Sequence, residues 1–264
     1  MRVLVFGGTV EGRTVIEALL QRKGPVMACV ATEYGAGMLT EQEDLTIRSG
    51  RMGQHKIVEV LADFRPDLLI DATHPYSQNV SDEILAALQG SPVPYLRVER
   101  ELTDGENIEK FGKFFDTMRE AVDYLNTTTG KILITTGSKE LETYTLIRDY
   151  AQRCVLRTLP SEEVLQNCKN AGFLPENLIL MQGPFSLEMN IATLHQTGCR
   201  ILVTRNSGRA GGFEEKAEAC RQTGCELLII GTPKKRILPE NGMKKTLEET
   251  LEYLAQCLDA EERI

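Results

Sequence analysis

Val3-Leu4-Val5-Phe6-Gly7-Gly8-Thr9-Val10-Glu11-Gly12-Arg13 decides the fold. Four apolar residues run into clustered glycines and then into Thr14-Val15-Ile16-Glu17-Ala18-Leu19-Leu20, whose apolar positions recur at helical spacing. A strand, a glycine turn and a helix in that order open a β-α-β unit. In such a turn, backbone N–H groups and the helix dipole make an anion site, and glycines let a pyrophosphate approach the main chain. Gly7 and Gly12 hold the outer positions of G-x-G-x-x-G, with Thr9 in place of the middle glycine. The pattern is therefore partial, and a tight turn without a ligand is its plainer reading.

The alternation continues outward. Apolar runs at Val26–Ala31, Leu45–Ile47, Asp67–Asp71 and Pro94–Val98 are separated by helix-like segments around 57–61 and 81–88. After Ile108–Phe111 and a helix over 117–125, the turn-rich Asn126-Thr127-Thr128-Thr129-Gly130 marks the expected domain boundary. Further strands are predicted at 132–135, 154–156, 178–181, 201–204 and 227–230, with helices near 161–171, 186–197, 213–223 and 246–260. Strands separated by helices of this length imply a mostly parallel sheet covered on both faces. The expectation is an α/β protein of two Rossmann-like doubly wound domains, 1–126 for a cofactor and 127–264 for a substrate, flanking a cleft.

Composition narrows the function. The chain has 264 residues, 30 basic against 38 acidic, a net charge of -8. That balance argues against a broad nucleic-acid surface, and the absence of Trp with only 6% aromatics argues against a base-stacking platform. The apolar start is too short for a signal peptide, and no apolar run approaches a membrane span. None of the seven cysteines forms C-x-x-C, which suits reduced thiols in a cytoplasmic protein and no metal site.

Two rival readings of the glycine loop are weaker. Gly7 to Thr14 fits a phosphate-binding loop, with Asp71 as a magnesium ligand, except that Arg13 stands where the lysine belongs. A short-chain dehydrogenase needs Tyr-x-x-x-Lys, and no tyrosine has Lys four residues later. A non-catalytic dinucleotide sensor is the rival from outside enzymology.

Other chemistry gathers at predicted strand ends, where open α/β sheets bind ligands. Asp71-Ala72-Thr73-His74-Pro75-Tyr76 combines a carboxylate, a hydroxyl, an imidazole and a phenol; His55 and His195 lack such company. Thr136-Gly137-Ser138-Lys139, Gly183-Pro184-Phe185-Ser186 and Arg205-Asn206-Ser207-Gly208-Arg209, continuing through Gly212 to Lys216, each join a strand to a helix. Their glycines, small polar residues and cations suit carboxylates or phosphates.

The set GGTVEGR, DATHPY, TTGSKEL, MQGPFSLEMN and VTRNSGRAGGFEEK, in this order, resembles the precorrin-6A reductase family over residues 1 to about 232. Its AGGF-type loop is closer to the cobalt-precorrin-6A branch. Three departures bear on substrate contacts, one being the absence near Glu99-Arg100-Glu101 of an aromatic often found after the fifth strand. Arg205 stands where the family carries Lys, and the chain continues Ile230-Gly231-Thr232-Pro233 where an Arg-Pro pair is usual.

The resemblance implies two Rossmann-like domains that exchange a strand. It also implies hydride transfer from NADH or NADPH to a carbon–carbon double bond of a tetrapyrrole, within cobalamin biosynthesis. Gly7, Gly8, Thr9 and Gly12 would then cradle the pyrophosphate, with Glu11 in the loop and Arg13 offsetting charge. Thr32 and Glu33 would lie near the ribose, where an acid favours NADH. Asp71, Ala72 and Thr73 would border the nicotinamide, with His74 or Tyr76 as proton donor. The loops 136–139, 183–186 and 205–212, with Lys216, would hold the macrocycle's carboxylates.

Overall fold

Alternate residues of the first strand go to opposite cores. Val3 and Val5 pack with Val15, Ile16, Leu19 and Leu254, while Leu4 and Phe6 pack with Ile57, Val60 and Ile84. A strand covered on both faces needs apolar residues at every position, so such runs are continuous rather than alternating. The computed structural model describes residues 1–22, 24–40, 42–100, 105–231 and 237–261.

Its strands are β1 (Val3–Phe6), β2 (Val26–Val30), β3 (Leu45–Ser49), β4 (Leu68–Asp71), β5 (Tyr95–Val98), β6 (Lys113–Phe115), β7 (Lys131–Ile134), β8 (Cys154–Thr158), β9 (Leu178–Leu180), β10 (Cys199–Thr204), β11 (Glu226–Ile230) and β12 (Gly242–Lys245). They form two six-stranded sheets, β12-β5-β4-β1-β2-β3 and β6-β11-β10-β7-β8-β9, in which every pairing is parallel. Read from β3 and from β9, both have the dinucleotide-fold order 3-2-1-4-5-6. In each, the order reverses between two central strands, β1 and β4 or β7 and β10, the point at which open α/β sheets bind ligands.

The sixth strand of each sheet comes from the other end of the connection. β6 follows β5 in sequence but pairs with β11, and β12 follows β11 but pairs with β5. This is the exchange that the resemblance implied. The chain accordingly divides into Met1–Arg100 with Pro233–Ile264, and Glu101–Thr232, rather than at 126/127. The turn-rich segment expected to separate the domains is knitted into the second unit. Asn126 Oδ1 accepts from the Arg148 N–H at 2.7 Å, its Nδ2 donates to the Leu146 carbonyl, and Arg153 Nε donates to the Gly130 carbonyl at 3.0 Å. The C-terminal helix Leu247–Glu261 belongs to the first unit because Leu254 and Leu258 complete the core beside Val15 and Leu19.

Candidate functional site

In the first unit the glycine loop is the turn that joins β1 to the helix Val10–Leu20. Thr9 caps the helix Val10–Leu20: its Oγ1 accepts from the Gly12 N–H at 3.0 Å and donates to the Ala72 carbonyl at 2.8 Å. One hydroxyl thus fixes the helix N-terminus and ties it across the switch point to the end of β4. Gly8 has φ +109°, a conformation that favours glycine, and a Cβ there would meet nothing within 4 Å. Gly12 is confined instead, since a Cβ would lie 3.1 Å from Gly7 Cα and 3.4 Å from Ala72 Cβ. An open glycine beside a packed one, under a capped helix N-terminus, fits the backbone approach that a pyrophosphate requires.

Glu11, an acid within this glycine turn, is neutralised. It is buried and held by both arms of Arg100, Nε to Oε1 at 2.5 Å and Nη2 to Oε2 at 2.6 Å. Burial pushes its carboxyl up, but Arg100 and further hydrogen bonds outweigh this and leave it below the usual value. Arg100 lies just beyond β5 and, with Thr9, Glu11, Ala72, Thr73, Pro75 and Val98, lines a small recess at the switch point. Arg13 lies half-buried on the first helical turn. At the end of β2, Thr32 caps the helix Glu33–Ala36 by accepting from the Gly35 N–H at 3.1 Å, and the exposed Glu33 accepts from Ser49 Oγ.

Asp71 departs from its expected role. It is fully buried, and its Oδ1 lies 2.5 Å from Arg97 Nη1. Oδ1 also accepts from Thr73 N–H (3.0 Å) and Thr73 Oγ1 (2.7 Å), and Oδ2 accepts from the Tyr95 hydroxyl (2.9 Å). Burial alone would raise this carboxyl; Arg97, with hydrogen bonds from Ser81 and Thr73, holds it below the ordinary value. A carboxylate so occupied is a brace under the loop, neither a cofactor contact nor a magnesium ligand. Arg97 extends the brace, its Nη2 donating to the Thr73 carbonyl at 2.8 Å.

Above the brace sit His74 and Tyr76, both partly exposed, with ring centres 5.8 Å apart. His74 Nδ1 accepts from the Tyr76 N–H at 3.3 Å, so the neutral ring carries its proton on Nε2. The sequence reading passed over Tyr95, Arg97 and Arg100. The signal for Arg97 was a charge inside an otherwise apolar strand, Tyr95-Leu96-Arg97-Val98.

In the second unit the predicted loops again follow the strands. Thr136 Oγ1 pairs with the Tyr144 hydroxyl at 2.8 Å, which donates to the Gly137 carbonyl at 2.9 Å; Ser138 and Lys139 complete this turn, Lys139 exposed. Arg205, after β10, pairs with Glu140 of the same turn. The 205–212 segment is not a slack loop. Ser207 Oγ and Lys216 Nζ both donate to the Gly211 carbonyl, at 3.0 and 2.8 Å, and Asn206 Oδ1 accepts from the Gly208 N–H. Lys216 and Asn206 are therefore buried loop-shaping groups, whereas Arg209 is 88% exposed in its side chain. Gly208, at φ +62° and ψ -173°, occupies a conformation open essentially to glycine alone. A Cβ on Gly212 would lie 3.5 Å from Pro184 Cβ, so the 183–186 and 205–212 loops adjoin. The Gly183–Pro184 bond is cis, and Ser186 caps the helix Leu187–Thr197.

Comparison with known proteins agrees with this architecture. The family model described as Precorrin-6x reductase CbiJ/CobK matches residues 2–256. A cobalt-precorrin-6A reductase from Priestia megaterium is 28% identical over 236 residues, 88% of this chain and 91% of its own. One from Salmonella typhimurium is 30% identical over 232 residues, 88% of this chain and 87% of its own. A solved structure of CobK precorrin-6A reductase, 23% identical, superimposes with a TM-score of 0.75 over 97% of this chain and 96% of that one, and shares the fold.

Proposed function

This chain belongs to the precorrin-6x reductase CbiJ/CobK family, an oxidoreductase family of cobalamin biosynthesis using a nicotinamide cofactor, and on that premise we propose that it reduces cobalt-precorrin-6A to cobalt-precorrin-6B with NADH. The observation that carries the reading is the capped glycine loop at the switch point of a 3-2-1-4-5-6 sheet, in a chain matched by the family over almost its whole length. The cobalt substrate is favoured because the relatives above act, by name, on the cobalt ring.

When bound, the nicotinamide supplies a hydride to one carbon–carbon double bond of the macrocycle. The chain's part is to bind, orient and supply a proton. Gly7, Gly8, Thr9 and Gly12 would hold the pyrophosphate at the helix N-terminus, with Arg13 offsetting its charge while Arg100 cancels that of Glu11. Thr32 and Glu33 would meet the adenosine ribose, where the acid disfavours a 2′-phosphate and so selects NADH. Ala72 and Thr73 would border the nicotinamide ring on the loop that Asp71 and Arg97 brace. His74, through Nε2–H, or the Tyr76 hydroxyl would deliver the proton to the reduced carbon. In the second unit Thr136, Gly137, Ser138, Lys139, Gly183, Pro184, Ser186, Arg205, Asn206, Ser207, Gly208, Arg209, Gly212 and Lys216 would form or shape the carboxylate-binding edge. We place the reaction in the cytoplasm, since all seven cysteines are free. Among the described residues no helix is long and apolar enough to cross a membrane.

The test is anaerobic turnover with metal-free and cobalt-containing precorrin-6A, followed by nicotinamide absorbance and the tetrapyrrole spectrum, with NADH and NADPH compared by kcat/KM. Cofactor binding without oxidation in every combination would sink the enzyme reading and leave a sensor. A His74→Gln, Tyr76→Phe double variant is expected to lower kcat by about 100-fold or more with KM little changed. A double variant with full turnover across the pH range would assign the proton to water.

A further inference from the structure

Arg157 is a buried cation that the roles above do not use. It lies in β8, 4% exposed, with its guanidinium carbon 3.9 Å from the centre of the Phe185 ring. Nη2 donates to Asn190 Oδ1 at 2.9 Å, while Nη1 is buried without a hydrogen-bond partner. Asn190 is wholly buried, and its Nδ2 donates to the carbonyls of Phe185 (3.3 Å) and Ser186 (2.9 Å), which turns its oxygen toward Arg157. Both identified partners of the guanidinium, the amide and the ring, are neutral. Burial lowers its pKa to about 10, and no other cause contributes.

An unpaired buried cation is costly, and an apolar side chain of similar length would pack the same space at less cost. Its retention needs a reason. Among the described residues the second buried side-chain atom without a partner is Glu215 Oε2, which borders the same turn: it lies 3.6 Å from a Cβ placed on Gly212, and the Phe185 carbonyl 3.7 Å from it. The turn also leads into the capped N-terminus of the eleven-residue helix Leu187–Thr197, the positive end of its dipole. Exposed apolar side chains accompany these polar groups: Leu159 follows β8, and Met181 follows β9, its N–H bonded to the Thr158 carbonyl at 3.0 Å.

We propose that Arg157 is an anion-binding residue whose Nη1 takes a peripheral carboxylate of a tetrapyrrole, with Leu159 and Met181 supplying apolar contact for the ring. The Phe185 ring moves off the guanidinium as the carboxylate enters, and Asn190 keeps Nη2 in place. The ligand class rests on the substrate reading above; the site itself rests on Arg157 and the neutral amide and ring that hold it.

The test uses the full chain, Arg157→Met and Arg157→Lys, with uroporphyrin as a stable polycarboxylated tetrapyrrole. Arg157→Met is expected to fold with a Tm at or above the parent's and to bind uroporphyrin about 10- to 100-fold more weakly, the loss of one charge-assisted contact. The KM for precorrin-6A should rise in step while that for the nicotinamide cofactor stays put, and Arg157→Lys should recover part of the loss. Unchanged affinity in Arg157→Met, or a parent protein that does not bind uroporphyrin, overturns the proposal. If Arg157→Met does not fold, the 15N-labelled Arg157 Nε–H signal of the parent, assigned by its absence from Arg157→Lys, decides: it should shift on adding uroporphyrin, and an unmoved signal refutes the site. Failure of turnover in the earlier assay would remove the proposed reaction and leave this binding result readable.

Discussion

Arg97→Met leaves Asp71 buried without its counter-charge, and the cost follows from the geometry. Asp71 is fully buried and the Arg97 side chain is 7% exposed, so water screens neither partner. Breaking such a pair destabilises by about 3–5 kcal/mol at neutral pH. The pH dependence is sharper than the magnitude. In the parent, Arg97 holds the Asp71 carboxyl below its unfolded value. Its stabilisation is therefore complete above that unfolded value, near 4, and is lost as pH falls through the lower folded one. Without Arg97, burial dominates and lifts the folded pKa above the unfolded one. Folded Asp71 then keeps a proton that the unfolded chain releases, and stability falls by about 1.4 kcal/mol for each pH unit above roughly 4 until the folded group ionises. The deficit of Arg97→Met should thus grow from pH 5 to pH 7. Asp71→Asn, Arg97→Met should recover most of it, because the buried charge is gone. Urea unfolding followed by far-UV circular dichroism over pH 5–8 measures this, Trp fluorescence being absent from a chain without Trp. A loss below about 1 kcal/mol, the scale of an exposed pair, or a deficit that does not grow with pH, would refute the brace.

Further outcomes follow from the same geometry. Gly12→Ala puts a methyl 3.1 Å from Gly7 Cα, where only backbone can yield; it should cost about 1–3 kcal/mol and weaken NADH binding in a fluorescence titration. Thr9→Val removes both the helix cap and the bond to the Ala72 carbonyl, for a loss of about 1–2 kcal/mol in urea unfolding, with Thr9→Ser recovering most of it. Five cysteines are buried, among them Cys29, Cys154 and Cys220 with thiols pushed to about 12, and only Cys225 and Cys257 are half-buried. A thiol-disulfide reagent should therefore label Cys225 and Cys257 in the native protein and the rest only after denaturation.

The two strands that sequence reading missed, β6 and β12, are the two that change sheets. Lys113-Phe114-Phe115 and Gly242-Met243-Lys244-Lys245 are short edge strands, covered less than their neighbours, so they carry neither an apolar run nor clean alternation. The ten interior and opposite-edge strands were legible because burial on both faces, or pairing beside such a strand, demands β-branched and aliphatic residues. The glycine loop was legible for a comparable reason: Gly8 and Gly12 answer local demands, a positive φ and a close approach, that show in residue type. Asp71 was misread because its type and place at a strand end suited a ligand contact, whereas its actual partners, Tyr95 and Arg97, lie two dozen residues away in β5.

Local chemistry in the sequence was thus enough for the α/β class, the glycine turn, the loops at the strand ends and, through five motifs together, the family. Which strands are exchanged, the division at 100/101 and 232/233, and the pairing of Glu11 with Arg100, Asp71 with Arg97 and Arg157 with Asn190 belong to the tertiary structure. Each depends on which distant strand or helix lies alongside. For Glu11 and Asp71 the buried carboxylate is offset by an arginine, and that partner is set by sheet order rather than by neighbours in the chain.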